Sequence, residues 1–324
     1  MSLKYIYSQL AAESLIPLIE AHYPHISPVS SKFYARGLHD NYLIESATAK
    51  YILRIYRNEW RSTDEILFEL QLLDFLREQQ ARVSTPRKTR AGNSHFLIDF
   101  QEGQRLAVLF DFADGRSPEK ETLAETCHLL GNAVAKVHLA TTGFVTDYTR
   151  PVLDTPYLLD LSIEKIEPYL DAEQMRYATT LQKKIHARMP AIAIEDGAYG
   201  ACTGDINFRN FHINDSNDIT LFDLDQCGFG YRAFELGKFL SAMYPLKEKS
   251  SYMSEFLKGY QSVRQLTEAE LQAIPYFEMV SIIWVLTIYV DNADRIGHSL
   301  LDETFWRRRI DILKDLEKGL GGHY

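Results

Sequence analysis

The stretch from Ala201 to Phe239 constrains this chain most, because acids and an amide recur in it at set intervals. Asn210 follows Asp205 by five positions, and Asp223 comes after FHI, NDSND and ITLF, a pattern typical of a hairpin with a polar turn. Such a hairpin brings Asn210 and Asp223 towards each other, with Asp205 just ahead. Oxygen ligands suit a hard cation such as Mg²⁺, and a hydroxyl that attacks a phosphate needs a carboxylate beside it.

Composition limits the class of protein. A chain of 324 residues with a formal net charge of -9 and 46% hydrophobic residues is typical of a globular protein with one large domain or two lobes. The negative charge argues against nucleic acid as the main partner, because phosphate backbones need basic surfaces. Three cysteines without CxxC spacing predict reduced thiols and a cytoplasmic location. The most apolar run, Met279–Val290, is too short for a membrane span and predicts a buried core helix.

The first 113 residues predict an antiparallel sheet with one inserted helix. After an amphipathic helix expected over residues 3–23, strand-like runs lie on both sides of Gly37. A helix over residues 64–79 has leucines at helical spacing, and Ser62 with Glu65 fits a capping box at its start. The other strands are expected from their β-branched and alternating residues, at 49–56, 83–89, 95–101 and 105–112.

The loop-like tract DFADGRSP, Asp111–Pro118, marks the point where the composition turns helical. Apolar periodicity predicts helices over residues 121–141, one or two within 157–189, and then 234–243, 252–263, 268–294 with an interruption at Pro275, and 304–318. The expected fold is α+β with two lobes. Residues 1–113 form a small antiparallel-sheet lobe, and residues 114–324 form a larger, mainly helical lobe. Nucleotides commonly bind in the cleft between two such lobes.

Two features of the first lobe fit either a phosphate site or ordinary structure. The segment ARGLHDN has a single glycine, so a turn over a ligand and a plain hairpin turn explain it equally well. Arg54, on the strand that follows, can form an ion pair with Glu69 on the flank of the next helix. A surface ion pair is the alternative for both residues.

The order of these parts is that of a kinase: a turn between strands, a cation, a glutamate on the next helix, a hinge, then D-x4-N and a later D. The sequence resembles the aminoglycoside phosphotransferase and choline kinase superfamily, which has a protein-kinase-like fold. The resemblance lies in TGDINFRN, FDLD and GYRAFELG, at Thr203–Asn210, Phe222–Asp225 and Gly230–Gly237. The tract GLHDNYLIESATAKYILRIYR resembles bacterial homoserine-kinase-like members.

The resemblance implies roles for four residues of the second lobe. Asp205 matches the catalytic base that orients and deprotonates the acceptor hydroxyl, and such help is typically worth about 100- to 10,000-fold. Asn210 and Asp223 match the ligands of Mg²⁺ that bridges the nucleotide phosphates. Asp225 matches a further ligand or a contact to the acceptor.

The resemblance also implies a nucleotide site in the first lobe. Arg54 falls where the family has a phosphate-binding lysine, with Glu69 as its partner; arginine keeps the charge of lysine but not its geometry. Asn41 is assigned to the phosphate loop. The hinge Phe110–Ala113, with Asp111 in it, is expected to hold adenine by backbone hydrogen bonds.

Two residues depart from the family pattern. Thr203 stands in place of a histidine that braces the catalytic loop, which puts the geometry of that loop in question. Glu235 stands in place of an aspartate, and we expect it to accept hydrogen bonds from the loop from one methylene further out.

Trp284 and Asp291 lie on the helix expected over residues 268–294 and are candidates for an acceptor pocket. An aromatic face beside acids suits a cationic compound. Core packing is the alternative for Trp284.

The predicted function is the Mg²⁺-dependent transfer of the γ-phosphate of ATP to a hydroxyl of a small molecule: an amino alcohol, a homoserine-like compound or an aminoglycoside. One alternative is a kinase-like protein that binds nucleotide without catalysis, and Thr203 motivates it. The other is a Ser/Thr protein kinase, which is disfavoured because Asp223 leads quickly into a helix and leaves no long loop to dock a peptide. Neither nucleic acid nor a membrane is expected as a partner, and the oligomeric state stays open.

Overall fold

A computed structural model describes residues 4–193, 197–244 and 246–320. The strands of this part are β1 (Pro28–Arg36), β2 (Asp40–Ser46), β3 (Lys50–Ile55), β4 (Phe96–Phe100), β5 (Gly103–Asp111), β6 (Tyr199–Cys202), β7 (Phe211–Ile213), β8 (Ile219–Leu221) and β9 (Gly228–Tyr231). The α-helices are α1 (Leu15–His22), α2 (Thr63–Glu78), α3 (Leu123–Ala140), α4 (Leu161–Ile166), α5 (Ala172–Arg188), α6 (Arg232–Ala242), α7 (Lys249–Gln261), α8 (Glu268–Asp291), α9 (Ala293–Ile296) and α10 (Glu303–Gly319).

The first lobe is a five-stranded antiparallel sheet in the order β1-β2-β3-β5-β4, with α2 inserted between β3 and β4. This confirms the predicted sheet and its inserted helix. Ser62 caps α2 as expected: its side chain accepts from the Glu65 amide, and the Glu65 carboxylate accepts from the Ser62 amide. These bonds fix the start of the helix that carries Glu69.

Two expected elements of this lobe are wrong. Residues 83–89 form isolated bridges to Leu221 and Phe110 instead of a strand, because Pro86 has no amide hydrogen to donate to a continuous ladder. The N-terminal helix is shorter than residues 3–23, since α-helix begins only at Leu15. Ahead of it, the Ser8 amide and hydroxyl donate to Glu102, and Arg105 donates to the Ser8 carbonyl, so the sheet holds this segment in a non-helical path.

The sheet contributes to two hydrophobic cores. Successive side chains of a strand point to opposite faces, and β5 follows this rule. Leu109 packs with α1 in one core, while Leu106 and Val108 pack with α2 and the helical lobe in the other. The helix α2 therefore shares its core with the second lobe, and the residues on it are held in place by both lobes.

The second lobe is built from packed helices, chiefly α6 on α8 and α3 on α7. Helix α8 runs without a break from Glu268 to Asp291, so the expected interruption at Pro275 is wrong. By length and composition α8 also meets the criteria for a membrane-crossing helix. However, 61% of its most apolar stretch is buried, and Phe277, Val280 and Trp284 belong to the core. The prediction of a buried core helix is confirmed, but the expectation that length excludes a membrane span is wrong, because the helix extends beyond the apolar run to 24 residues.

Two small two-stranded sheets hold the three aspartates of the predicted site, Asp205, Asp223 and Asp225. The strands β7 and β8 form the predicted hairpin, and its turn closes where the Asn214 amide donates to the Asp218 carbonyl at 3.1 Å. The strands β6 and β9 pair beside it. Asp205 therefore follows β6, Asp223 follows β8, and Asp225 lies just ahead of β9.

Candidate functional site

Asp205 lies in the loop between β6 and β7, and both of its carboxylate oxygens are held. Asn210 Nδ2 donates to Oδ2 at 2.9 Å and also to the Asp205 backbone carbonyl at 2.9 Å. Lys238 Nζ, from α6, lies 2.6 Å from Oδ1. The Asp205 side chain keeps 28% of its surface exposed, so a small molecule can reach the carboxylate.

Asn210 and Asp223 are joined across the hairpin. The amide of Phe222 donates to the Asn210 carbonyl at 2.9 Å, which fixes the next residue, Asp223, beside the loop. Asp223 has a φ of 63°, a left-handed conformation that is uncommon for residues other than glycine and is often found at functional sites. Its side chain is 45% exposed. The backbone of the hairpin therefore presents the Asp223 carboxylate to the cleft.

Arg54 connects the two lobes through one guanidinium group. Its Nη1 lies 3.2 Å from Glu69 Oε1, and its Nη2 lies 2.9 Å from Asp223 Oδ1. Asn41, opposite Arg54 in the register of β2 and β3, has its Oδ1 at 3.5 Å from Arg54 Nε. The predicted Arg54–Glu69 ion pair is confirmed. The surface alternative is wrong, because Arg54 is only 7% exposed and Glu69 only 1%.

The charged groups around Arg54 shift one another's pKa values. Burial alone would lower the pKa of the Arg54 guanidinium, but Asp223, Tyr56, Glu69 and Asp225 outweigh that effect and raise it. Burial raises the pKa of the Glu69 carboxyl to about 7, although Arg54 opposes the shift. The Tyr56 hydroxyl donates to Glu69 Oε2 at 2.9 Å, so both oxygens of this buried carboxyl have a partner.

Glu235 braces the loop that contains Asp205. The Thr203 amide donates to Glu235 Oε2 at 3.0 Å, the Gly204 amide donates to Oε1 at 2.7 Å, and the Thr203 hydroxyl donates to Oε1 as well. The prediction that Glu235 accepts hydrogen bonds from this loop is confirmed. Gly204 has a φ of +85°, and a Cβ there would lie 1.9 Å from the Gln226 carbonyl oxygen, so the loop needs glycine at this position.

A histidine from another helix, His138, contacts Glu235. It projects from α3, and its Nε2 lies 2.6 Å from Glu235 Oε2, while its Nδ1 lies 2.7 Å from the Tyr260 hydroxyl. Burial lowers the pKa of His138, so the ring is neutral near pH 7. Burial alone would raise the pKa of Glu235, but the bonds from His138 and Thr203 outweigh it and lower the pKa. Glu235 is therefore held by His138 of α3 on one side and bonds the Thr203 and Gly204 amides on the other.

Asp225 lies between the lobes, and both oxygens of its carboxylate contact other protein groups. Trp60 Nε1 donates to Oδ2 at 2.9 Å, Arg61 Nε lies 3.4 Å from Oδ1, and His39 Nε2 lies 2.9 Å from Oδ1. Burial alone would raise the pKa of the Asp225 carboxyl, but Arg61 and His39 hold it well below its usual range. These three partners come from the first lobe, so Asp225 ties the lobes together.

The hinge residues lie beside aromatic rings. The Asp111 amide donates to the Thr85 carbonyl at 3.0 Å, and the His212 Nδ1 lies 2.7 Å from the Ala113 carbonyl oxygen. The His212 ring contacts the rings of Phe112 and Phe222. Among the hydrogen bonds of the described residues, none uses the amide of Ala113.

A cavity of about 630 Å³ adjoins the end of the hinge, and its walls include Arg116, Ile213 and Asn214. Its lining contains neither Asp205 nor Asp223. We assign the function to the polar cluster of Asp205, Asn210, Asp223 and Arg54. The groups that carry charge and protons determine where a reaction takes place, and the size of a cavity does not.

Trp284 and Asp291 are held by other parts of the second lobe. Trp284 is buried and its ring packs edge-on against Phe234. Asp291 Oδ1 lies 2.5 Å from Lys165 Nζ. Within the described ranges, no hydrogen bond joins either side chain to Asp205, so their role in an acceptor pocket stays a prediction.

The residues that sequence reasoning missed are Lys238, as a partner of Asp205, and His138, as a partner of Glu235. Lys238 follows Glu235 by three positions on α6, a spacing that places both on one face of the helix. That spacing was a usable signal for Lys238. The sequence holds no such signal for His138, because only tertiary packing brings α3 to Glu235.

Comparison with known proteins gives a family match over most of the chain. Residues 31–273 match the model of the phosphotransferase enzyme family. An uncharacterized protein of Synechocystis sp. is 33% identical over 96% of this chain and 87% of its own length. A homoserine kinase of Gluconobacter oxydans is 28% identical over 83% of this chain and 84% of its own.

A solved structure shows the same fold. An amicoumacin kinase in complex with AMP-PNP, Ca²⁺ and Ami superimposes with a TM-score of 0.75 at 22% identity, covering 96% of this chain and 93% of that one. The two-lobed α+β architecture predicted from the sequence is therefore confirmed.

Proposed function

Because the chain belongs to the phosphotransferase enzyme family, we propose that it transfers the γ-phosphate of ATP to a hydroxyl group of a small molecule, with Mg²⁺ as its metal. The observation that supports this most directly is the bridge made by Arg54. One guanidinium group contacts Glu69 of the first lobe and Asp223 of the second. Arg54 thus puts a cation next to Asp223, and the bond from the Phe222 amide to the Asn210 carbonyl holds Asp223 beside the loop that carries Asp205. Positive charge at such a position suits the phosphates of a nucleotide.

Asn210 and Asp223 fit a hard divalent cation. The amide nitrogen of Asn210 donates to Asp205. No hydrogen bond of the described chain uses the Asn210 Oδ1, so this oxygen can act as a metal ligand. Asp223 Oδ1 accepts from Arg54, which leaves Oδ2 for a metal. One amide oxygen and one carboxylate oxygen, with phosphate oxygens and water, form a set that Mg²⁺ prefers. When bound, the metal neutralises charge on the phosphates of ATP.

Asp205 is proposed to act on the acceptor. Its partly exposed carboxylate accepts the proton of the attacking hydroxyl, while Asn210 and Lys238 hold it in one orientation. The acceptor oxygen bonds to the γ-phosphorus, and the bond between that phosphorus and the bridging oxygen of ADP breaks. Glu235 keeps the loop in place through the Thr203 and Gly204 amides.

The nucleotide is proposed to lie against the first lobe. Arg54, with Glu69 and Asn41 beside it, faces the phosphates, and the hinge at Asp111 and Ala113 faces adenine. The free amide of Ala113 supports this placement, because adenine needs a backbone donor. On this assignment residues 1–113 are the nucleotide lobe and residues 114–324 the catalytic and acceptor lobe.

The acceptor is proposed to be a compound with both a hydroxyl and an amino group. Relatives and fold neighbours include a homoserine kinase and an amicoumacin kinase, and the net charge of -9 is compatible with a cationic acceptor. Amino alcohols, homoserine-like compounds and aminoglycosides are the classes to test.

The experiment compares Asp205→Ala and Asp223→Ala with the wild type. Release of ADP from Mg-ATP is followed with a panel of amino alcohols, hydroxy amino acids, sugars and aminoglycosides. We expect at least one acceptor to raise turnover in the wild type, and Asp205→Ala to lower it by about 100- to 10,000-fold. Asp215→Ala is the control, because that aspartate lies on the same hairpin with its side chain 99% exposed. Equal turnover in Asp205→Ala and wild type would contradict the proposal.

Two other functions are tested by the same assay. A protein that only binds nucleotide would take up AMP-PNP and release no ADP with any acceptor. The intact brace from Glu235 and His138 argues against it, because the feature that suggested it, Thr203, still bonds to Glu235. A Ser/Thr protein kinase needs a peptide-docking segment, but only residues 224–227 separate Asp223 from β9, and α6 follows directly.

A further inference from the structure

Lys238 is a buried cation placed on the proposed catalytic carboxylate. It is 7% exposed, and its ammonium group lies 2.6 Å from Asp205 Oδ1. Lysine is seldom buried to this extent unless it is paired. It comes from α6, whereas Asp205 comes from the loop after β6, so tertiary packing and not local sequence brings the two charges together.

The ammonium group has bonding capacity to spare. An ammonium carries three N–H donors, and among the hydrogen bonds of the described residues Lys238 Nζ makes one, to Asp205. Asn210 already holds the other oxygen of the same carboxylate. Asn210 therefore shares with Lys238 the orientation of the Asp205 carboxylate. The remaining N–H donors of Lys238 can bind a further group.

We propose that Lys238 binds the phosphoryl group during transfer and stabilises its negative charge. This inference rests on the proposed function. A hydroxyl within hydrogen-bond reach of Asp205 lies close to Lys238 as well, because the two side chains are in contact. The group that moves from ATP to this hydroxyl therefore passes beside the ammonium donors.

The change of charge during the reaction favours such a role. As the hydroxyl attacks, its proton goes to the Asp205 carboxylate, its oxygen bonds to the γ-phosphorus, and ADP leaves with the electrons of the broken phosphorus–oxygen bond. Asp205 becomes neutral at this step, so its attraction for Lys238 falls. The new phosphate ester carries negative charge, and the ammonium gains a stronger partner there. Lys238 thus interacts more strongly with the transition state and product than with the ground state, which is the condition for a gain in rate.

The position of Lys238 is distinct from that of Arg54. Arg54 contacts Asp223 and Glu69 and is proposed to face the phosphates that stay on ADP. Lys238 contacts Asp205, on the side of the acceptor. The two cations then stand on either side of the bond that breaks, and substitution of Lys238 should spare the binding of ADP.

The test uses Lys238→Met and Lys238→Arg in the full-length protein, with Mg²⁺. The hydrolysis of ATP is measured without an acceptor, and the affinities for ADP and for ADP with aluminium fluoride, an analogue of the phosphoryl group in transfer, are measured by calorimetry. We expect Lys238→Met to lower kcat for ATP by about 100- to 1,000-fold, as for the loss of one transition-state donor. Its affinity for ADP should stay within about twofold, while the added affinity from aluminium fluoride is lost. Lys238→Arg should recover at least about tenfold of the lost kcat, because it keeps the charge.

Lys249→Met is the matched control. Lys249 is a second mostly buried lysine of the same lobe and pairs with one buried carboxylate, Glu278, away from Asp205. It is expected to lower stability without changing the ratio of the two affinities. The inference is overturned if Lys238→Met binds ADP with aluminium fluoride as tightly as the wild type, or loses affinity for ADP alone to the same extent. A wild type that neither binds ADP nor hydrolyses ATP would instead overturn the proposed function, and this inference with it.

Discussion

The contacts between the two lobes at this site depend on Arg54 being an arginine and not a lysine. A guanidinium group is planar and has five donors in a fixed fork, whereas an ammonium is a point charge. Arg54 uses that fork to contact Glu69 and Asp223 at once, with its charge centre 5.2 Å from the centre of the Phe110 ring. A lysine at the same position reaches these acids by a single nitrogen. The arginine therefore couples α2 to the hairpin more rigidly than the lysine expected from the family pattern.

His138 gives the molecule a dependence on pH at one position. The buried ring faces Glu235, Tyr260, Arg232 and Arg264, and burial lowers its pKa below the usual 6.5. The folded chain then binds fewer protons than the unfolded chain as pH falls below about 6.5, so the free energy of unfolding falls. The loss approaches about 1.4 kcal/mol per pH unit for one such group.

We therefore predict a pH-dependent effect of His138→Gln. At pH 7.5 the variant should be less stable than the wild type by about 1 to 3 kcal/mol, because a buried hydrogen bond to Glu235 is lost. The difference should shrink towards pH 5.5, since the variant lacks the group that opposes folding in acid. Urea unfolding at pH 7.5, 6.5 and 5.5 measures both. His128→Gln is the control, because His128 lies on the same helix with its side chain 46% exposed. If the free energies of unfolding of the wild type and His138→Gln differed by the same amount at all three pH values, protonation of the buried His138 ring would not explain the loss of stability in acid.

At the scale of elements, two glycines allow α3 and α7 to touch. A Cβ on Gly131 would lie 2.0 Å from the Phe256 carbonyl oxygen, and a Cβ on Gly259 would lie 1.9 Å from the His128 carbonyl oxygen. Both neighbours are backbone, so they cannot rotate away as a side chain can. This close contact sets the distance of α3, and with it the position of His138 beneath the loop that carries Asp205.

We predict that Gly131→Ala destabilises the protein although alanine is the better helix former. The gain in helix propensity is about 1 kcal/mol, whereas forcing packed elements apart typically costs about 1 to 3 kcal/mol. We expect a lower free energy of unfolding in urea and a fall in ATP turnover, because His138 moves with α3. Gly319→Ala at the end of α10 is the matched control, since nothing lies within 4 Å of its added Cβ. If both variants were equally stable, the contact would not limit the packing of α3.

Local signals in the sequence were sufficient for most elements and for part of the site. The capping box at Ser62 and the turn NDSND predicted α2 and the β7–β8 hairpin, because both depend on bonds within a few residues. Local signals failed where distant groups decide. Glu102 and Arg105 hold the N-terminal segment out of a helix. Helix α8 continues through Pro275, where Ile274 and Phe277 on either side are buried in the core. The same holds for the site: the resemblance to the family predicted the contacts of Glu235. The spacing of Lys238 from Glu235 was a signal that the prediction left unused, and no local signal indicated His138.

At the scale of the molecule, the lobes are joined by buried polar contacts and not by the hinge alone. Asp225 of the second lobe contacts Trp60, Arg61 and His39 of the first, and the His39 ring also accepts from the Arg57 amide at 3.1 Å. His39 lies in the turn between β1 and β2, beside the proposed phosphate site. Opening of the cleft must break these contacts, so they hold that turn against Asp225 of the second lobe.

We predict that Trp60→Phe loosens the cleft without unfolding either lobe. The ring keeps most of its volume, while the hydrogen bond from Trp60 Nε1 to Asp225 Oδ2 is lost. A hydrogen bond to a charged group contributes about 1.5 to 3 kcal/mol, so opening of the turn at residues 37–40 should become at least about tenfold more frequent. Hydrogen exchange of these amides, followed by mass spectrometry, should speed up by that factor.

A second tryptophan separates this effect from a general loss of stability. Trp306 Nε1 donates to the Leu301 carbonyl at 3.0 Å inside the helical lobe, so Trp306→Phe removes an indole hydrogen bond, here to a neutral acceptor, away from the cleft. It should lower the stability of that lobe and leave exchange at residues 37–40 unchanged. AMP-PNP should slow the exchange in Trp60→Phe, because a nucleotide held between the lobes opposes opening. If Trp60→Phe and Trp306→Phe changed exchange in the turn equally, Asp225 would be an ordinary buried acid and not the contact that closes the two lobes.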